Sequence, residues 1–150
     1  MPLKLDFKAG EKLVLNGAVV ENVGSNAKLL IHNDSAIIRE KEIISQSESN
    51  TPAARVYFAL QCAYMFPRNE AEYLESFRQY LKDYVAAAPT AKPIADEILA
   101  FVDEIKLYRA LKVTQKLIRH EADTFSQFAN QLEAIDLAER LEAANEKGAG

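Results

Sequence analysis

The chain has 150 residues, 49% of them hydrophobic and 27% charged, which suits one buried core or two tightly joined subdomains and excludes a disordered polymer. A formal net charge of -4 and a pI near 5.3 exclude proteins that coat nucleic acid through a large basic excess, and leave room only for a local basic patch. A single cysteine, Cys62, cannot close an internal disulfide, and the N-terminus lacks the order of a secretory signal, so a reducing cytoplasm is the expected setting.

Leu3, Leu5 and Phe7 alternate with Lys4, Asp6 and Lys8, the period-2 pattern of a strand with one buried face. After a turn at Ala9-Gly10-Glu11, the segments Lys12 to Leu15 and Ala18 to Val23 flank Asn16-Gly17, a pair suited to the positive φ angles of a tight hairpin. Gly24-Ser25-Asn26 and Asn33-Asp34-Ser35 then punctuate Lys28 to Ile31 and Ala36 to Arg39. These signals predict a small antiparallel β-meander of about five strands over residues 1–48, with lysines blunting its edges.

The character changes between Ile37 and Phe58. Ile37-Ile38-Arg39-Glu40-Lys41-Glu42-Ile43-Ile44 reads as a charged-rimmed strand, and Ser45 to Asn50 is wholly polar. Thr51 then suits a helix N-cap, with Pro52 at the first helical position, where its missing N–H costs nothing. This junction gathers Arg39, Lys41 and Arg55 in sequence.

From Val56 to Pro67 only Gln61 is strongly polar, and the run is far shorter than the roughly 20 residues that span a bilayer, so it predicts a buried central helix and no membrane segment. Cys62 within it reads as a small core hydrophobe, since a reactive thiolate needs basic neighbours. A second helix follows Pro67, with Asn69 and Glu72 as an approximate capping box and with Tyr73, Leu74, Phe77, Leu81, Tyr84, Val85 and Ala88 on one face; Pro89 ends it. Tyr73, Phe77, Tyr80 and Tyr84 could stack bases, but their helical spacing and the scarcity of interleaved cations, Arg78 and Lys82, favour core or subunit contacts.

From about Pro93 the apolar stripe changes side. At about 100° per residue Ile94, Ile98, Phe101, Val102 and Ile105 share one face, whereas Leu107, Leu111, Thr114, Leu117, Ile118 and Phe125 cluster nearly opposite. Either the helix turns back between Ile105 and Tyr108, or one continuous helix buries two faces and needs a partner. Opposite the second stripe, Lys106, Arg109, Lys112, Lys116 and Arg119 form a basic ridge that could contact phosphates, although the acidic chain and the neighbours Asp103, Glu104 and Glu121 favour a solvated face. His32 and His120 have no ligand-spaced companions, and no phosphate loop, nucleophile elbow or acid/base pair is present, so neither an enzyme nor a cofactor is expected. The architecture predicted is α+β, the β module being followed by a bundle of three to four helices over residues 51–145 and a frayed tail at 146–150.

Several segments together resemble the FlbT flagellar regulators of alphaproteobacteria: Met1-Pro2-Leu3-Lys4-Leu5; Gly10-Glu11-Lys12 with Leu15-Asn16-Gly17-Ala18-Val19; Ile38-Arg39-Glu40-Lys41-Glu42-Ile43; Thr51-Pro52-Ala53 with Arg55-Val56-Tyr57-Phe58; and Ala110-Leu111-Lys112 with Lys116-Leu117-Ile118 and Glu121. The resemblance covers roughly residues 1 to 125. It implies a non-catalytic, cytoplasmic post-transcriptional repressor of flagellin synthesis that associates with the 5′ untranslated region of flagellin mRNA and promotes its decay, beside a small companion, FlaF; some members act as activators. Where the family often has a further Arg before the positions of Arg55 and Lys116, this chain has Ala54 and Gln115.

Two readings follow. In one, Arg39, Lys41 and Arg55, or the ridge from Lys106 to Arg119, contact the flagellin mRNA leader directly. In the other, the helical stripes grip flagellin or FlaF and the RNA effect is indirect. Strand edges and a long helix both offer routes to a homo-oligomer.

Overall fold

The computed structural model describes residues 2–148. Five short strands precede four helices, the α+β class that the periodicity indicated. The strands are β1 (Leu3–Phe7), β2 (Lys12–Leu15), β3 (Ala18–Glu21), β4 (Ala27–Ile31) and β5 (Ile37–Arg39). Asn16 and Gly17 adopt φ angles of 50° and 87° in the β2–β3 turn, as a two-residue hairpin requires. A Cβ on Gly17 would sit in ordinary contact with the Met65 carbonyl oxygen at 3.4 Å and the Phe66 ring at 3.5 Å, so the turn lies against the helical half.

The strands do not pair as one consecutive ribbon. β1 joins β4 in a two-stranded antiparallel sheet, and β2 lies between β3 and β5 in a second. Position within the sheets explains the difference. β2 and β5 carry Leu13, Val14 and Ile38, all buried, so they pair over the helices, while β1 and β4 leave Leu3 and Leu30 half exposed. The segment expected to continue as a strand after Arg39 forms a single 3-10 turn at Glu40–Glu42.

The helices are α1 (Pro52–Met65), α2 (Glu70–Ala87), α3 (Lys92–Asp103) and α4 (Leu107–Gly148). Thr51 caps α1, its hydroxyl oxygen accepting from Ala54 N–H at 3.2 Å, and α1 stops before Pro67 as anticipated. The capping box proposed for α2 does not form. Asn69 ends a 3-10 turn that runs straight into the helix, so Glu70 N–H is satisfied by the Pro67 carbonyl and Asn69 makes no side-chain cap. α1 is the central element, packed between α2 and α4, with α3 against α4. Val56, Leu60, Phe77, Ile98, Leu111 and Leu117 are all fully buried. Among the described residues no helix is long and apolar enough to cross a membrane.

The change of stripe is a helix end. α3 stops at Asp103 and α4 begins at Leu107. Lys106 N–H donates to Phe101 O at 2.8 Å and Ile105 N–H to Val102 O at 3.0 Å, the paired bonds of a Schellman motif, with Ile105 in the left-handed region at φ 59°. Glycine normally takes that position, so sequence signals for the stop were missing. Ile105, expected on the buried face of α3, is 76% exposed, and Phe125, expected on the buried face of α4, is 65% exposed. Helix α4 has 42 residues, about 63 Å at 1.5 Å per residue, and continues through residues 146–148 of the expected frayed tail, whose last two residues lie outside the described ones. Every residue from 122 to 148 is exposed.

Candidate functional site

The Ile37–Phe58 junction and the basic ridge meet at one carboxylate. Glu42, at the end of the 3-10 turn, has a side chain only 11% exposed. Its Oε2 accepts from the Tyr108 hydroxyl at 3.0 Å and the Lys112 ammonium at 2.9 Å, and its backbone carbonyl accepts from the Tyr57 hydroxyl at 2.6 Å. The Lys112 Nζ also stands 5.2 Å from the centroid of the Tyr108 ring, close enough for cation–π attraction. The hydrogen bond from Lys112 to Glu42 raises the lysine pKa, so the charge stays on the ammonium. Burial pushes Tyr57, Tyr64 and Tyr108 up, so these phenols are neutral donors.

Helix α1 carries the rest of the seam on one face. Gln61 takes the Ile44 N–H at 2.8 Å and donates back to the Ile44 carbonyl at 2.9 Å, while Tyr64 does the same at Ile37, accepting at 2.8 Å and donating at 3.0 Å. Tyr57, Gln61 and Tyr64, spaced by four and three, thus bind the 37–44 segment by its backbone in place of a neighbouring strand. Gln61 had stood out only as an isolated polar residue. The signal available in sequence was three polar tips at helical spacing inside an apolar helix.

At the far end of the α1–α4 contact, the Glu121 carboxylate accepts from Ala53 N–H at 2.9 Å. Together with Thr51 it fills the positive N-terminus of α1, which is therefore not open to a phosphate. His120, on the preceding position, bridges the Tyr84 hydroxyl at 2.8 Å and the Thr90 hydroxyl at 2.9 Å, tying α4 to α2 and to the turn before α3. Burial, with the Glu121 charge, pushes Tyr84 up to about 12. Cys62 is 5% exposed and its thiol is raised by burial, the opposite of an activated thiolate.

The candidate cations divide into two groups. Arg39 is paired with Glu11 at 3.0 Å, Lys106 with Glu104 at 2.9 Å, Lys112 with Glu42 at 2.9 Å and Lys116 with Glu97 at 3.3 Å. Lys41, Arg55, Arg109 and Arg119 are exposed, and among the described residues none has a carboxylate in ion-pair range. The antiparallel packing of α1 on α4, fixed by Ala53 against Glu121 and by Tyr64 against Tyr108 with ring centroids 5.7 Å apart, sets Arg55 level with the turn that holds Arg119. Gln115, where an Arg was the family expectation, stands beside the Tyr57 hydroxyl and brings no charge to the seam there. Beside the seam opens a cleft of about 500 Å³ lined by Lys4, Asp6, Arg39, Glu42, Tyr64 and Tyr108.

A family profile described as "Flagellar protein FlbT" matches residues 3–125, ending about one helical turn after α4 leaves the packed body. A protein of Caulobacter sp. (strain K31), named probable flagellum biosynthesis repressor protein FlbT, is 37% identical over 123 residues, covering 81% of this chain and 94% of its own. The flagellum biosynthesis repressor protein FlbT of Caulobacter vibrioides (strain ATCC 19089 / CIP 103742 / CB 15) is 32% identical over 136 residues, 89% of this chain and 96% of that one. A probable repressor FlbT 1 from Bradyrhizobium diazoefficiens is 34% identical over 129 residues, 85% and 88% of the two chains. No solved structure matches. The segments that meet at Glu42, Ala53 and Glu121 are those that carried the resemblance, and the chain belongs to the FlbT family, whose named members include repressors of flagellum biosynthesis.

Proposed function

We propose that this protein is a post-transcriptional repressor of flagellin synthesis in flagellum biogenesis, acting in the cytoplasm by associating with the 5′ untranslated region of flagellin mRNA and promoting its degradation. Family membership supports the flagellar role. The observation that carries the RNA reading is that Lys41, Arg55, Arg109 and Arg119 are exposed and, among the described residues, unpaired, in a chain that also has a cleft where Tyr64 and Tyr108 offer aromatic surface beside Arg39. RNA leaders are recognised through unpaired loops, in which cations meet phosphate and aromatic rings meet bases.

A second reading rests on a different observation: three of the five ridge cations are neutralised within the chain. A protein partner, flagellin or FlaF, would then use this surface, and the RNA effect would be indirect.

Titration of labelled flagellin leader RNA at two salt concentrations, beside titration of flagellin and FlaF, separates the two. In Arg109→Glu/Arg119→Glu, RNA affinity falls and the salt slope flattens by about 0.7 for each lost single-strand phosphate contact. Tight binding of flagellin or FlaF with no RNA binding by the wild type would decide for the adaptor.

A further inference from the structure

We propose that the open edge of β1 binds an extended segment of a partner protein as an added strand. Leu3, Lys4, Leu5 and Asp6 all line the cleft of about 500 Å³, across from Tyr64 and Tyr108. Successive side chains of a strand point to opposite faces of its sheet, so four residues in a row line one cleft when the strand presents its edge to it. β4 pairs with the other edge of β1, from Leu3 against Ile31 to Phe7 against Ala27. Alternate backbone N–H and C=O groups of β1 therefore point into the cleft. Among the described residues nothing else bonds to the backbone of Leu3–Asp6; the next carbonyl, that of Phe7, is already taken by the Asn22 side-chain amide at 2.8 Å.

The facing wall has no ladder of its own to offer. The Tyr64 hydroxyl occupies both the N–H and the carbonyl of Ile37, and after Arg39 the chain enters the 3-10 turn. A guest takes its backbone hydrogen bonds from β1 and meets the two tyrosines on its far side. Four residues of strand fill about 600 Å³, at about 3.3 Å per residue, roughly 4.8 Å between strands and about 10 Å between layers. The cleft thus takes one strand and not a two-stranded sheet.

Charge and pattern define the guest. Lys4 and Asp6 are exposed on one face of the β1–β4 sheet and have no ion-pair partner among the described residues, whereas Leu3, Leu5 and the buried Phe7 share the other face. An antiparallel strand reading Lys or Arg, apolar, Asp or Glu, apolar sets its cation opposite Asp6, its acid opposite Lys4 and its apolar side chains opposite Leu5 and Leu3. The unpaired charges of the lining are one of each sign, since Arg39 and Glu42 are already paired, so the cleft gives a polyanion no net attraction. The inference goes beyond the RNA reading, whose unpaired cations lie outside this lining. A second copy carries the right order in Lys4–Phe7, but its β1 arrives with β4 attached, and the cleft has room for a single strand.

Fluorescence anisotropy of a labelled, end-blocked hexapeptide, Lys-Val-Glu-Val flanked by threonines, tests the site on the full chain. Saturable binding is expected, with the charge-exchanged Glu-Val-Lys-Val peptide about tenfold weaker, because two opposite-charge cross-strand pairs become like-charge pairs. Lys4→Asp/Asp6→Lys should reverse that preference and leave the affinity for flagellin leader RNA unchanged. Methylating alternate peptide amides should weaken binding tenfold or more in one phase and far less in the other, since only every second N–H faces β1. The peptide arms read the same whether or not the wild type binds RNA. No saturation at millimolar peptide, or equal loss in both methylation phases, would overturn the added strand. Loss of RNA affinity in Lys4→Asp/Asp6→Lys would assign the cleft to RNA, and a wild-type dimer that the peptide dissociates would assign the edge to a second copy; either would overturn the proposal.

Discussion

Ile105 offers a sharp test of how α3 ends. A β-branched residue held at φ 59° carries a left-handed penalty of about 1–2 kcal/mol. Its side chain is 76% exposed, so truncation loses only about a quarter of a full burial, roughly 0.5 kcal/mol. Ile105→Ala suffers that loss and keeps the strain, while Ile105→Gly removes the strain and adds about 0.5–1 kcal/mol of unfolded-state entropy. Glycine should therefore be more stable than alanine here by about 1 kcal/mol. At an interior helical position the order is reversed by a similar amount. Urea unfolding of the two variants, followed by helical circular dichroism, measures the difference; thermal midpoints should separate by about 2–4 °C for a chain of this size. If alanine proves the more stable, α3 and α4 form one continuous helix and the Schellman stop is wrong.

Two further outcomes follow from the seam and the core. Gln61→Leu nearly keeps the volume but removes the amide and strands the N–H and carbonyl of Ile44, and should cost about 2 kcal/mol in urea unfolding; a cost near zero would show that water replaces the amide. Tyr84 has a folded-state pKa near 12, above its ordinary 10, so the stability it contributes is whole below pH 10 and is lost as pH rises from 10 to 12, by about 3 kcal/mol. Tyr57, Tyr64 and Tyr108 act in the same direction, so unfolding free energy should fall steeply over that window. Tyr84→Phe should begin lower, having lost its bond to His120, and fall less steeply; an unchanged slope would refute the assignment.

Legibility in the sequence tracked the range of the forces involved. The Asn16-Gly17 turn, the Thr51-Pro52 start of α1, the stops before Pro67 and Pro89 and the apolar centre of α1 are set by the conformational limits and polarity of residues close along the chain, and each was readable there. In the aromatic stripe of α2 spacing was right for Phe77 and Tyr84, which are buried, and not for Tyr80, which stays 40% exposed. The stop after α3 was not readable, because Ile105 takes a glycine position with no glycine to announce it. The chemistry of the seam was equally hidden. Glu42 lies 66 positions from Tyr108, and Glu121 lies 68 from Ala53, so no local pattern links them.

The sequence by itself determined the elements, the α+β class and, through segments held in common with a family, the flagellar setting. Those depend on local propensity and on an ordered series of motifs. Only the tertiary structure decided which strands pair, which lysines and arginines are neutralised and which stand free, and that α4 runs on beyond its cover. Pairing, charge compensation and burial are properties of residues brought together from distant parts of the chain, and packing alone assigns them.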